Sequence, residues 1–185
     1  MKKLFLSLAV MTLSLSAGCA RTTERQAPTD VPVSQQQEVA TEGTPVLKPL
    51  ASSVAPNQVF STIAAQYKGS VTFIDLWATW CPPCRQAMKL VDQIKPELAA
   101  KGCKFVYITG ETSPREDFDT MYKTIEGDHF YLTDAQYKGL LNQFNVTGIP
   151  HYILLSKEGK VLWQSEMGYP GNDEAKNQIE MALAQ

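Results

Sequence analysis

The chain has 185 residues, 44% of them hydrophobic and 19% charged, with a formal net charge of −2. That length holds one ordinary domain and some extra chain, not two full domains, and the composition excludes disorder throughout. With 17 Lys+Arg against 19 Asp+Glu there is no basic face for nucleic acid, and 4 cysteines are too few for a disulfide framework.

At the N-terminus, Lys2 and Lys3 precede an uncharged, mostly apolar run from Leu4 to Ala17, followed by Gly18 and Cys19. The run is shorter than the ~20 residues of a membrane-spanning helix, and it suits a secretory signal over residues 1–18. Leu15-Ser16-Ala17-Gly18-Cys19 resembles a bacterial lipoprotein signal, in which Cys19 becomes the lipidated first residue. It departs at Ser16, where that pattern has leucine; ordinary signal-peptidase cleavage is the alternative. Loss of Lys2 and Lys3 with the signal takes the charge from −2 to −4, leaving no electrostatic reason to bind anionic membranes.

Residues 19–52 read as anchor and flexible tether. They carry Pro28, Pro32, Pro45, Pro49 and Gln35-Gln36-Gln37, and no aromatic residue lies between Phe5 and Phe60. An N-terminal arm packed through its last few residues is the other reading. The folded unit is then 53–185.

Val59, Ile63 and Tyr67, spaced four apart, predict a helix over Asn57–Tyr67 that ends at Gly69. Val71–Trp77 is nearly continuously apolar and suits a central strand covered on both faces. From Pro82 to Ala100 a stripe of Met88, Val91, Ile94 and Leu98 predicts a helix broken at Pro96. Lys104–Ile108 is a second buried strand. Ser113-Pro114-Arg115-Glu116 reads as a capping box with proline at the first helical position, opening a helix through Ile125.

Phe130–Leu132 is a short extended piece, and Thr133 or Asp134 caps a helix carrying Leu140, Leu141 and Phe144. His151–Leu155 and Lys160–Trp163 form a hairpin around Lys157-Glu158-Gly159. Asn172 caps a last helix with Ala175, Ile179 and Leu183 on one face. Strands alternating with helices and closed by a hairpin predict an α/β fold, a mixed sheet with helices on both faces.

The chemistry concentrates in Asp75-Leu76-Trp77-Ala78-Thr79-Trp80-Cys81-Pro82-Pro83-Cys84-Arg85. Here a buried strand runs through a tight connection into a helix whose first turn holds both cysteines. Unpaired N–H groups and the positive dipole end stabilise a thiolate there, so Cys81 is the nucleophile. Cys84, one turn on, is placed to resolve a mixed disulfide at Cys81. Pro82 and Pro83 suit the first helical turn and stiffen the loop between the sulfurs. Asp75 is a carboxyl inside an apolar strand, so its pKa rises; it serves Cys84 as proton acceptor or is a structural aspartate bonded to backbone.

Zinc needs four ligands, and only His129, His151 and Cys103 remain, so no metal site is expected. Covalent haem attachment needs histidine where Arg85 stands. A purely structural disulfide would close a loop too short to stabilise much. Redox chemistry by the cysteine pair itself, without a cofactor, is the reading that remains.

Trp80-Cys81-Pro82-Pro83-Cys84, with Asp75 before it and Gly148-Ile149-Pro150 after it, resembles thioredoxin-fold proteins, and most of all the exported TlpA/ResA-like thiol–disulfide oxidoreductases. Val106-Tyr107-Ile108 and the run from Gly148 to Lys160 match in order and spacing, as does an extra helical stretch between them. The resemblance covers roughly residues 55–183. It implies a cis Ile149–Pro150 peptide beside the cysteines, with the Ile149 backbone pairing with an extended substrate segment at Pro150. Trp80, an aromatic beside the nucleophile, and Pro82 are the further substrate contacts expected, core packing being the other reading of Trp80. One departure is Arg85-Gln86-Ala87-Met88-Lys89, where many members have Arg-x-Glu-x-Pro.

His151, after the proline, either tunes Cys81 or merely lines the groove; His129 reads as a loop residue and Cys103 as a buried bystander. The expected function is an exported, lipid-tethered reductase of protein disulfides, facing the periplasm as a monomer and fed by a membrane electron donor. The alternatives are a periplasmic oxidase or isomerase, or a thioredoxin-like binding module such as a metal chaperone.

Overall fold

The computed structural model describes residues 43–185, within the compact unit Glu38–Gln185. The signal over 1–18, the lipidation site Cys19 and the tether as far as residue 42 lie outside the described residues.

The first described element corrects the tether boundary. Pro45–Leu47 is a strand (β1) in parallel register with Gly127–His129, and Leu50 and Val54 pack on the core beyond it. The apolar residues Val46, Leu47, Leu50 and Val54 are too sparse to show a period, yet enough to cover an open sheet edge.

A 3₁₀ turn over Pro56–Gln58 leads into α1 (Val59–Ala65), which buries Val59 and Ile63. β2 (Thr72–Leu76) is buried at every position. Next come α2 (Pro82–Ala100), β3 (Lys104–Gly110), α3 (Arg115–Met121) and a 3₁₀ turn over Tyr122–Thr124. β4 (Gly127–Leu132), α4 (Asp134–Gln143), β5 (His151–Leu155), β6 (Val161–Gln164) and α5 (Asn172–Leu183) complete the order.

The sheet runs β1-β4-β3-β2-β5-β6. β1, β4, β3 and β2 pair in parallel; β5 and β6 pair antiparallel. The strand alternation splits the interior into two layers. Phe73, Trp77, Phe105, Tyr107 and Tyr152 face α2, α3 and α5, while Ile74, Leu76, Val106, Ile108 and Ile153 face α1 and α4. Mixed α/β with helices on both faces is the architecture the pattern predicted.

Three helix expectations change. α2 is not broken: Pro96 sits inside a continuous helix. Proline removes one bond to the Asp92 carbonyl, and the buried stripe of Met88, Val91, Ile94 and Leu98 holds both halves against the sheet. Ser113 caps nothing; α3 starts one residue later, after Pro114, and stops at Met121. The last helix begins after Gly171, without a side-chain cap, and Asn172 Oδ1 accepts from the Tyr169 hydroxyl instead (2.6 Å). The true capping box is Thr133 with Gln136, at 3.3 and 3.2 Å.

Candidate active site

β2 delivers the chain to the end of the sheet, and the connection Trp77–Trp80 is fastened from two sides. The Tyr137 hydroxyl of α4 donates to the Trp77 carbonyl (3.0 Å). Tyr137 can lie so close because residue 110 is glycine; a Cβ there would stand 2.6 Å from Tyr137 Cβ. From the other side, Thr79 N–H donates to Ser113 Oγ (3.0 Å), which also pairs with Thr109 Oγ1 (2.8 Å). Ser113 is thus spent on this loop, which is why it does not cap α3. Trp80 Nε1 donates to the Thr112 carbonyl (2.8 Å) and leaves the indole 58% exposed.

Cys81 is the N-cap of α2 and forms a disulfide with Cys84, with Cα atoms 5.3 Å apart. Pro82 and Pro83 occupy the first two helical positions and have no N–H. The Cys84 N–H is therefore the first free donor of the helix, and it points at Cys81 Sγ (3.2 Å). The Ile149–Pro150 peptide is cis, and the Ile149 carbonyl oxygen lies 3.7 Å from Cys81 Sγ. Cys81 retains 3% exposure and Cys84 none, so only the first sulfur touches the surface. Arg85, Glu116 and Asp117 line a shallow recess beside Trp80.

Asp75 is buried in the same layer as Cys84, directly opposite Tyr107 on β3 and Tyr152 on β5. Desolvation pushes its carboxyl up to about 8, against the smaller opposing pull of the Tyr152 hydroxyl and the Lys95 ammonium. Neither carboxyl oxygen has a hydrogen-bond partner, so the backbone-bonded structural reading of Asp75 does not hold.

His129 is not a loop residue. It lies on β4, fully buried, stacked on Tyr107 at 5.1 Å with Nε2 2.7 Å from the Ile125 carbonyl. Burial depresses it to about 4. His151 opens β5 beside the proline, buried, with its pKa lowered by desolvation. Cys103 is buried and free at the start of β3, far along the strand direction from the pair, and burial pushes its thiol up to about 12. Among the described residues no group of His, Cys, Asp and Glu could hold a metal ion, and no helix is long and apolar enough to cross a membrane.

Sequence reading missed the two tyrosines flanking Asp75, the role of Ser113 and the buried Lys95. The strand alternation placed Tyr107 and Tyr152 as core; only the register, set by the whole sheet, puts them on either side of Asp75.

A thioredoxin-like family model matches residues 69–161, which contain the cysteine pair and the cis-proline. ResA, a thiol–disulfide oxidoreductase of Bacillus thuringiensis (strain Al Hakam), is 25% identical over 118 residues, covering 60% of this chain and 66% of that protein. ResA of Geobacillus thermodenitrificans is 27% identical over 116 residues, covering 59% and 65%. The chain thus spans just under two thirds of the length of these relatives. Among solved structures, a putative thiol:disulfide interchange protein DsbE from Chlorobium tepidum superposes with a TM-score of 0.51 at 28% identity, over 64% of this chain and 84% of that one. The thioredoxin domain of a Bacteroides vulgatus thiol–disulfide oxidoreductase shares the fold, with a TM-score of 0.54 at 22% identity over 63% and 81%. With half its length under the family model and the pair and cis-proline both inside the match, the chain belongs to the thioredoxin-like family and resembles its ResA-type members.

Proposed function

We propose that this protein is an exported thiol–disulfide oxidoreductase that reduces protein disulfides. The observation that carries the reading is Cys81 Sγ at the start of α2, within reach of one helix N–H and of the Ile149 carbonyl. In the reduced protein the Cys81 thiolate attacks a substrate disulfide, forming a mixed disulfide and expelling one substrate thiolate. Asp75 takes the Cys84 proton, and the Cys84 thiolate attacks Cys81 Sγ. The second substrate thiolate leaves, the Cys81–Cys84 bond closes, and two electrons have passed to the substrate.

Trp80 and Pro82 offer a substrate segment exposed side chains, and Ile149, followed by the buried Pro150, offers its backbone beside Cys81. The cysteine pair is the redox group, with no further cofactor. A disulfide left on the enzyme requires a dithiol or quinol-linked donor, which outside the cytoplasm means a membrane carrier. Anchoring through a lipid on Cys19 would hold a monomer facing the periplasm.

Pro83 supports the reducing direction. A thiolate at an N-cap accepts from the N–H groups of the second and third helical positions. Here the second is proline, so the Cys81 thiolate keeps one backbone donor. A less stabilised thiolate makes a more reducing couple, nearer roughly −270 mV than roughly −120 mV. Catalytic insulin reduction by the wild type, abolished in Cys81→Ser, together with a stalled mixed disulfide in Cys84→Ala, is the expected outcome. Absence of turnover in the wild type, or a potential above about −150 mV, would reject the reductase.

A further inference from the structure

The buried row Tyr107–Asp75–Tyr152 holds more unsatisfied polar chemistry than any other part of the described interior. The two tyrosine hydroxyls and both carboxyl oxygens lack hydrogen-bond partners, and the three residues face each other across adjacent strands. A buried hydroxyl left unpaired is destabilising because its lost hydration is not replaced, and a phenylalanine would fill either site without that cost.

Tyr152 has little freedom. Its backbone N–H donates to Ser165 Oγ (3.0 Å) and its carbonyl accepts from Ser165 N–H (2.9 Å). Its ring stacks on Phe73 at 5.2 Å and meets the edge of Tyr169 at 5.2 Å. The hydroxyl is therefore held in the Asp75 layer by packing on both sides.

We propose that Tyr152 is a positioning residue for Asp75, its hydroxyl donating to the carboxylate whenever that group is ionised, so that Asp75 can release the proton it takes from Cys84. This rests on the dithiol reading above and adds to it the means by which a fully buried acid is returned to its basic form. The proton balance is simple. Cys84 gives one proton to Asp75 as its thiolate forms, and the carboxyl then loses that proton to solvent. Tyr152 keeps its own proton and stabilises the resulting anion.

The surroundings leave Tyr152 as the best donor. Opposite Asp75 stand Tyr107 from β3 and Tyr152 from β5; Lys95 from α2 and Tyr169 from the segment before α5 are the further titratable groups of that layer, and Tyr137 of α4 lies in the other layer, across the sheet. The Tyr137 hydroxyl is engaged by the Trp77 carbonyl, and the Tyr169 hydroxyl by Asn172. Lys95 is bound to Asp92 Oδ1 (2.6 Å) and the Glu126 carbonyl (3.0 Å), with its ammonium 5.1 Å over the Tyr107 ring. α5 presents Ala175 and Ile179, which are apolar. Tyr107 and Tyr152 both keep an unengaged hydroxyl opposite the carboxyl, and of the two it is Tyr107 whose ring is covered by the Lys95 ammonium, which leaves Tyr152.

The test is a carbon-13 NMR titration of the Asp75 carboxyl in the oxidised full chain, wild type against Tyr152→Phe. We expect the midpoint to rise by about one pH unit in the variant, the equivalent of one hydrogen bond to the charged form. The pH profile of mixed-disulfide resolution should move up equally, with the alkylation rate of Cys81 unchanged. An identical Asp75 midpoint in both proteins overturns the proposal. If Tyr152→Phe does not fold, infrared difference spectra of the wild type serve instead. A tyrosine C–O band that shifts with the Asp75 midpoint supports the contact, and one that stays still removes it. Insulin reduction separates the two levels: a coupled titration in a chain with no turnover rejects the redox reading alone.

Discussion

At the scale of single residues, Asp75 is the strongest conflict between stability and chemistry in the molecule. A carboxyl raised from 3.8 to about 8 binds its proton more tightly folded than unfolded. Its contribution is fully present below about pH 4 and is lost as the pH rises through about 8, because over that window the folded state holds the extra proton. The difference in stability between the two ends of that window is on the order of 5 kcal/mol. Asp75→Asn should therefore unfold at a higher denaturant concentration than the wild type at pH 8.5, with a much smaller gain at pH 5. The same variant should resolve mixed disulfides more slowly, since Cys84 loses its proton acceptor. Urea midpoints at the two pH values check the first point and stopped-flow resolution the second; equal gains at both pH values would mean Asp75 does not titrate in this range.

At the scale of elements, the start of α2 sets the chemistry, and it was largely legible in the sequence. Cys-Pro-Pro-Cys after an apolar strand marks a cysteine at a helix N-cap, because prolines belong in a first turn, and the positive end of a helix suits a thiolate. What escaped reading were contacts made by distant loops. Ser113 has every local feature of a capping serine, yet its hydroxyl is taken by Thr79 N–H, a partner 34 positions away. Pro96 carries a local signal for a break that packing of α2 overrides. The proline at the second helical position gives a sharp expectation. Pro83→Ala restores a second N–H toward Cys81 Sγ, so the Cys81 pKa should fall and the reduction potential should rise by about 30 mV, the worth of one hydrogen bond near 1.4 kcal/mol in a two-electron couple. Equilibration with glutathione measures the potential. A fall would mean that ring stiffness, not the missing donor, governs the couple.

At the scale of the whole molecule, the sheet is larger than the composition of the N-terminal stretch suggests. The alternation of strands and helices gave the α/β architecture directly, because each buried strand writes its own apolar run. β1 writes none: it is three half-buried residues at an edge, and its partner lies some eighty positions away. Its attachment is nonetheless dense. Lys48 N–H donates to the His129 carbonyl (2.8 Å), and Lys48 Nζ stands 3.8 Å from Asp128 Oδ2. Gln136 Nε2 donates to the carbonyls of Ala51 (2.9 Å) and Val54 (3.1 Å), tying this segment to the first turn of α4. A chain beginning at residue 53, where the sequence placed the domain boundary, would leave the β4 edge open and strip Leu47 and Leu50 from the two core layers. Half-burial of two leucine-sized side chains is worth roughly 2–3 kcal/mol. The shortened chain should thus unfold at a lower urea concentration than one beginning at residue 43, by that amount after extrapolation to water. Its exposed β4 edge should also make it more prone to associate, visible as a concentration-dependent sedimentation coefficient. Equal stability of the two chains would return β1 to the tether. The reactive end of the sheet, where β2 meets α2, should keep its disulfide potential in both, because β4 and β3 lie between β1 and β2 in the sheet.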